Sequence, residues 1–146
     1  FVVGMAKAIS VVMTDGNIID SVVYYLTTPI AAIGSVLGAG VMFLFNLCFN
    51  LLISSGSGQA AATMPIMAPF SDVIGLSRQA TVMAFQFGDG FTNMITPTSG
   101  VLIGALGIAR IPYDIWVKFF WKFILLLVII GFVLLIPTAT MQLNGF

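Results

Sequence analysis

The sequence has 146 residues, of which 60% are hydrophobic and 7% charged, with five Lys or Arg, five Asp and no His. Soluble domains carry about 25% charged residues, so too little polar surface remains to coat a globule of this size, and the expected class is an all-α, polytopic integral membrane protein. A net charge of zero leaves no footprint for nucleic acid, the hydrophobicity excludes a disordered tail, and one Cys without His argues against a disulfide framework or a His/Cys metal centre.

The opening Phe1-Val2-Val3-Gly4-Met5 lies part-way along an apolar stretch with no positively charged segment before it, which is not the form of a secretory signal. Residues 1–13 are therefore expected to be the end of a truncated span, and the chain the C-terminal piece of a longer protein. Thr14-Asp15-Gly16-Asn17 is a turn cluster. Ile18, Ile19, Val22, Val23 and Leu26 then recur at helical spacing, with Asp15, Asn17, Asp20 and Ser21 on the other side. Residues 18–28 read as a short interfacial helix with Tyr24 and Tyr25 at headgroup level, ended by Thr27-Thr28-Pro29.

No charge occurs between Asp20 and Asp72. Residues 30–53 begin with small residues, including Gly34 and Gly38 of a G-x-x-x-G, and turn bulky from Met42. Asn46 and Asn50 share a helix face that must point into protein or water. Cys48, on an apolar helix, reads as a small buried hydrophobe. Ser54-Ser55-Gly56-Ser57-Gly58-Gln59 is a turn by composition. Helix resumes near Gln59 and runs to about Ile74, interrupted by Pro65 and Pro69 and closed by Gly75. Residues 30–75 are read as a re-entrant hairpin, with an ordinary loop between two full spans as the alternative.

Residues 79–109 form a third span that is broken in its middle. Gly88, Gly90 and Pro97 oppose a continuous helix, because an interior Gly costs about 1 kcal/mol and Pro about 3 kcal/mol relative to Ala. Gly100, Gly104 and Gly107 give the second half a small-residue face. Arg110, Lys118 and Lys122, interleaved with Tyr113, Trp116 and Trp121, make a basic loop with an aromatic belt, and residues 117–136 form the last span. Three of the five basic residues lie in 110–122, so that loop is expected in the cytoplasm, with the chain end and the Asp72–Arg78 loop outside.

Two constellations carry chemistry. The 54–59 turn offers hydroxyls, an amide and exposed backbone, and a helix resuming at Gln59 aims its positive end at whatever sits there. The second is the break, where Asp89, Thr92, Asn93, Thr96 and Thr98 cluster. An intramembrane Asp is costly and marks function, and unwound helices at the midplane form the ion and substrate sites of secondary transporters. Hard oxygens suit sodium; Asp89 could instead carry a proton or face a cationic substrate. An intramembrane serine protease is disfavoured, because the G-x-S-G pattern fails at Ser55 and no His is present to activate Ser57. The eight Met residues read as gap-fillers in helix packing.

The stretches 55–69 (SGSGQAAATMPIMAP) and 84–100 (AFQFGDGFTNMITPTSG), with Arg110-Ile-Pro-Tyr-Asp-x-Trp after them, closely resemble the YfcC-type carriers of the anaerobic dicarboxylate carrier family, in the ion-transporter superfamily. The resemblance implies the C-terminal inverted repeat of an elevator-like carrier, in which two hairpin tips and two broken helices enclose one site. It maps Ser55, Gly56, Ser57 and Gly58 to a hairpin tip, and Asn93, Thr96, Pro97 and Thr98 to the broken-helix loop. Ser-Gly-Ser-Gly stands where the superfamily's tip has Ser-Asn-Thr. The family also includes basic amino-acid antiporters, which suits an Asp89 without a cationic partner nearby.

The expectation is a secondary active transporter, not an enzyme, moving a basic amino acid or a four-carbon dicarboxylate across the bacterial cytoplasmic membrane. Coupling is to sodium, protons or exchange. Asp89, Gly90, Thr92 and Asn93 would handle the cation. Ser55, Gly56, Ser57, Gly58 and Gln59, with Thr96, Pro97, Thr98 and Ser99, would handle the substrate. No cofactor beyond a sodium ion is expected. The expected partners are the bilayer, the N-terminal half of the same protein, a second copy in a homodimer and the small organic ion, with no nucleic acid. The rival reading is an ion channel or a non-transporting membrane subunit.

Overall fold

The computed structural model describes residues 2–18, 20, 21, 24, 25 and 34–141. Every element among them is helical: α1 (Val2–Asp15), α2 (Ser35–Asn50), α3 (Gly56–Val73), α4 (Arg78–Asn93), α5 (Gly100–Ala109) and α6 (Tyr113–Thr140). Of the interfacial helix expected over 18–28, residues 18, 20, 21, 24 and 25 are helical and the rest lies outside the described residues, as do residues 30–33. Tyr24 and Tyr25 are exposed, their rings edge to face at 5.8 Å.

The core is a three-helix contact of α2, α4 and α6, with α3 laid between α1 and α4. Helical spacing builds it. α2 buries Ala39, Met42, Phe43, Asn46 and Asn50, and α4 buries Ala80, Thr81, Ala84, Phe85, Gly88 and Thr92, each set recurring every three or four residues. Phe43 is the hub, edge-on to Phe87, Phe91 and Phe132 at 6.5, 6.2 and 5.0 Å. Glycines set the close approaches, since a Cβ on Gly40 would stand 2.8 Å from the Phe132 ring, and one on Gly131 2.9 Å from Phe91. Gly88 lies where α4 crosses α2: its Cβ would meet the Cβ of Asn46 at 2.7 Å and the backbone of Asn46 and Leu47 at 3.1 Å.

Six features differ from the sequence reading. Helix α3 begins at Gly56, so Gly56, Ser57, Gly58 and Gln59, read as turn, are its first residues, with the N-cap on Ser55. Helix α6 begins at Tyr113 and runs to Thr140, so most of the 110–122 stretch read as a loop is helix and the 117–136 span is longer at both ends. Helix α3 runs unbroken through Pro65 and Pro69. Each proline removes one backbone donor, and the flanking turns carry the helix past both. The break in the 79–109 segment starts at Met94 rather than at Gly88 or Gly90, which are helical. Cys48 is exposed, because it is turned off the Asn46–Asn50 face that packs inward. The small residues of α5 pack against nothing described: Gly100, Gly104 and Gly107 have open space where a Cβ would stand, and Leu106 alone is buried on that helix.

Gly75, at a φ of 68°, supplies the left-handed turn that leads from α3 toward α4. Arg110 takes the same conformation at the end of α5, where the N–H of Ile111 closes on the Leu106 carbonyl at 3.0 Å. α6 is the one helix among the described residues that is both long and apolar enough to cross a membrane, 28 residues with a mean hydropathy of 2.9 in its most apolar stretch. Its surface is mostly exposed apolar side chains, including Phe119, Leu125, Ile129 and Val133.

Candidate functional site

The turn after α2 and the break after α4 meet in space. Ser54 donates its hydroxyl to the Thr98 carbonyl at 2.9 Å. Ser55 caps α3, its hydroxyl accepting from the Gly58 N–H at 3.4 Å. That cap points the first turn of α3 at α4, where Asp89 waits: a Cβ on Gly56 would stand 2.9 Å from Asp89 Oδ2. The positive end of α3 thus faces a carboxylate. Asp89 Oδ1 accepts from Asn93 Nδ2 at 2.8 Å, and the Asp89 backbone carbonyl accepts from Asn50 Nδ2 at 3.0 Å. The ion pairs among the described residues are Arg78–Asp72 and Lys118–Asp114, both exposed and elsewhere.

Side-chain oxygens turn out to be in surplus. Asn50 Oδ1, Gln59 Oε1, Asn93 Oδ1 and Thr96 Oγ1 are buried without a hydrogen-bond partner among the described residues. The amide orientations are fixed by chemistry. Asn50 Nδ2 faces the Asp89 backbone carbonyl and Gln59 Nε2 the Asn46 carbonyl at 3.2 Å, groups that only accept, and Asn93 Nδ2 faces the Asp89 carboxylate, which only accepts when ionised. The oxygen ends are therefore the free ends. Orphaned buried acceptors cost about 1–3 kcal/mol each, so each calls for a water, a protein donor or a cation. Two of these oxygens, on Asn50 and Asn93, belong to side chains bonded through their NH₂ groups to Asp89, and neutral oxygens with a carboxylate are hard donors. No group of three or more His, Cys, Asp or Glu suited to a metal occurs among the described residues.

The expected site residues divide. Asp89, Asn93, Gly56, Thr96 and Ser99 lie at the junction, with Thr96 and Ser99 buried. Thr92 is buried and donates to the Gly88 carbonyl at 2.7 Å. Gly58 is buried behind the tip, and Gly90 is exposed with open space around it. Ser55, Ser57, Pro97 and Thr98 are exposed. Gln59 is fully buried, its NH₂ donating to both the carbonyl and Oδ1 of Asn46 and its Oε1 without a partner among the described residues. A cavity of about 630 Å³ opens beside the break, between Ser54, Asn93 and Ser99 on one side and Leu102, Trp116 and Phe120 on the other.

Sequence reasoning missed Ser54 as the link between turn and break, and missed the roles of Asn50, Tyr113 and Trp116. Asn50 had a signal: an amide on an inward face one turn from the tip. Ser54 had none beyond its place in a Ser/Gly turn.

The whole arrangement can be set beside known proteins. The family model for C4-dicarboxylate anaerobic carriers matches residues 1–140. The chain is 40% identical over 121 residues to an Escherichia coli protein named "Putative basic amino acid antiporter YfcC", covering 80% of this chain and 24% of that protein. It is 36% identical over 143 residues to an uncharacterized protein of Haemophilus influenzae, covering 96% of this chain and 27% of that protein. The chain therefore spans about a quarter of the length of the curated relatives it matches. No solved structure matches it significantly. A family model that covers nearly the whole chain, together with a relative 40% identical to it, shows that the chain belongs to the C4-dicarboxylate anaerobic carrier family, a family of membrane transporters.

Proposed function

We propose that the chain forms the C-terminal part of a secondary active transporter of the bacterial cytoplasmic membrane, working by alternating access. The observation that carries this reading is the junction of the 54–58 tip with the 94–99 break, supported by Ser54–Thr98 and by Asp89 against Gly56. Asp89, Gly90, Thr92 and Asn93 hold the coupling cation, with sodium favoured by the surplus of neutral oxygens on Asn50, Asn93 and Thr96. Ser55, Gly56, Ser57 and Gly58, with Thr96, Pro97, Thr98 and Ser99, receive a small organic ion, and Gln59 supports the tip from behind. A basic amino acid is favoured over a four-carbon dicarboxylate, because no described cation stands by Asp89 to meet a carboxylate substrate and because a relative is named for basic amino acids.

The hairpin 30–75 is re-entrant in this reading. Its arm α2 has 16 residues, about 24 Å of helix, short of the ~30 Å hydrocarbon core. It belongs to an inverted repeat whose other half lies in the remainder of the protein, in a homodimer, with the 110–122 segment cytoplasmic and the chain end outside. Full-length protein in liposomes tests the function. Saturable counterflow of arginine, lysine or a dicarboxylate, driven by a sodium or proton gradient and lost in Asp89→Asn, is expected. Non-saturating conductance would make it a channel, and exchange of none of these ions under either gradient removes the carrier reading. Cysteine scanning tests the hairpin: labelling of 54–58 as an open cytoplasmic loop refutes re-entry.

A further inference from the structure

A break in a helix leaves backbone carbonyls without their helical donors, and those held by side chains show what fixes the break. Four carbonyls of the break have a partner. The Thr96 carbonyl accepts from the Ser99 N–H at 3.2 Å and the Thr98 carbonyl from Ser54 at 2.9 Å. The two that follow directly on α4 are held from α6: Trp116 Nε1 donates to the Met94 carbonyl at 3.0 Å, and Tyr113 Oη to the Ile95 carbonyl at 2.5 Å. Tyr113 and Trp116 stand at i and i+3 in the first turn of α6, on one face. Aromatics of a membrane belt turn their polar tips to the headgroups. These two spend theirs on backbone, whereas Trp121 in the same helix is exposed, with the Lys122 ammonium 5.9 Å from its ring centre.

We propose that Tyr113 and Trp116 are positioning residues that clamp the break and thereby aim the oxygens of the site. This rests on the reading of the break as the ligand site. Asn93 precedes the two clamped carbonyls and Thr96 follows them, and these two residues supply two of the unpartnered buried oxygens. Fixing the carbonyls of 94 and 95 fixes the direction in which both side chains leave the backbone. The first turn of α6 and the break then move as one body, so any displacement of α6 carries the site with it. Neither aromatic need touch the cation. Trp116 also walls the cavity beside Asn93 and Ser99, so releasing its indole opens the break toward that space.

The test uses the full-length protein in liposomes with Cys48, and every cysteine outside these residues, replaced by Ser. Thr98→Cys reports on the break and Gln79→Cys, at the exposed start of α4, serves as control. N-ethylmaleimide labelling is followed with and without sodium chloride. Tyr113→Phe removes one hydroxyl and Trp116→Phe one N–H, and either variant decides the matter should the other fail to fold. A clamp predicts labelling of the break reporter raised about threefold or more, the control rate unchanged, and protection by sodium needing a higher concentration. Unchanged labelling at the break, or an equal rise at both reporters, overturns the proposal. The labelling comparison needs no transported substrate, so a wild-type protein that moves no ion defeats the transporter reading while leaving the clamp decided on its own.

Discussion

Gly56 and Asp89 stand so close that a Cβ on the first would lie 2.9 Å from Oδ2 of the second. A side chain at the first residue of α3 would therefore displace a carboxylate on another helix. Gly56→Ala must push that carboxylate aside, which costs little in packing because Oδ2 is the far end of a flexible side chain, but moves the carboxylate off its place. The expected result is a rise of about tenfold in the sodium concentration giving half-maximal uptake, at 1.4 kcal/mol per tenfold, with little loss of folded protein. Sodium titration of uptake in liposomes checks it, and unchanged sodium dependence removes Asp89 from the cation site.

Gly88 and Gly90 sit one residue apart from Asp89 on either side and should behave oppositely. A Cβ on Gly88 collides with Asn46 at 2.7 Å and with rigid backbone at 3.1 Å, whereas one on Gly90 meets nothing within 4 Å. Gly88→Ala is expected to destabilise by about 1–3 kcal/mol. Gly90→Ala is expected to be neutral or to gain up to about 1 kcal/mol of helix propensity. Thermal unfolding of the purified variants in one detergent reads the difference, and equal midpoints would contradict the helix crossing described for Gly88.

That contrast shows what could be read in advance. A glycine within an apolar run frees the backbone or admits a neighbour, and the residue type is the same in both cases. Gly88 looked like a breaker and is a contact, because Asn46 lies far away along the chain. Pro97 was legible as a breaker since its missing donor acts locally. The inward face of Asn46 and Asn50 was legible from helical spacing and the cost of an amide in lipid. Tyr113 and Trp116 were misread as belt residues alone, because their acceptors are carbonyls of 94 and 95, and every residue has a carbonyl. The meeting of tip and break came from the family resemblance, and its particular bonds only from the structure.

Ser54 tests the junction from the tip side. Its hydroxyl is the one described side-chain bond between turn and break. Ser54→Ala leaves the Thr98 carbonyl without that donor, worth about 0.5–1.5 kcal/mol net. Substrate half-saturation is expected to rise about three- to tenfold with maximal rate nearly kept. Ser54→Thr keeps a hydroxyl and should restore most of the affinity. Equal behaviour of the two variants would show that the bond does not serve binding.

Gln59 lies beside the expected substrate residues yet is fully buried, with its NH₂ on the carbonyl and Oδ1 of Asn46. Asn46 in turn donates to the Met42 carbonyl at 2.8 Å and carries the contact with Gly88. Gln59→Leu keeps the bulk and removes the donor, stranding Oδ1 of Asn46 where α2 crosses α4, while the Asn46 carbonyl lies within the helix ladder of α2. The expected cost is about 1–3 kcal/mol, seen as a lower unfolding temperature and less folded protein. Substrate half-saturation of the protein that does fold should stay within about twofold, the signature of a residue that does not bind substrate. Gln59→Glu offers oxygens where the Asn46 acceptors need a donor, and should be worse than Leu. If instead Gln59→Leu folds normally and loses substrate affinity tenfold, the amide turns toward the tip during transport, and the packing role assigned to it is wrong.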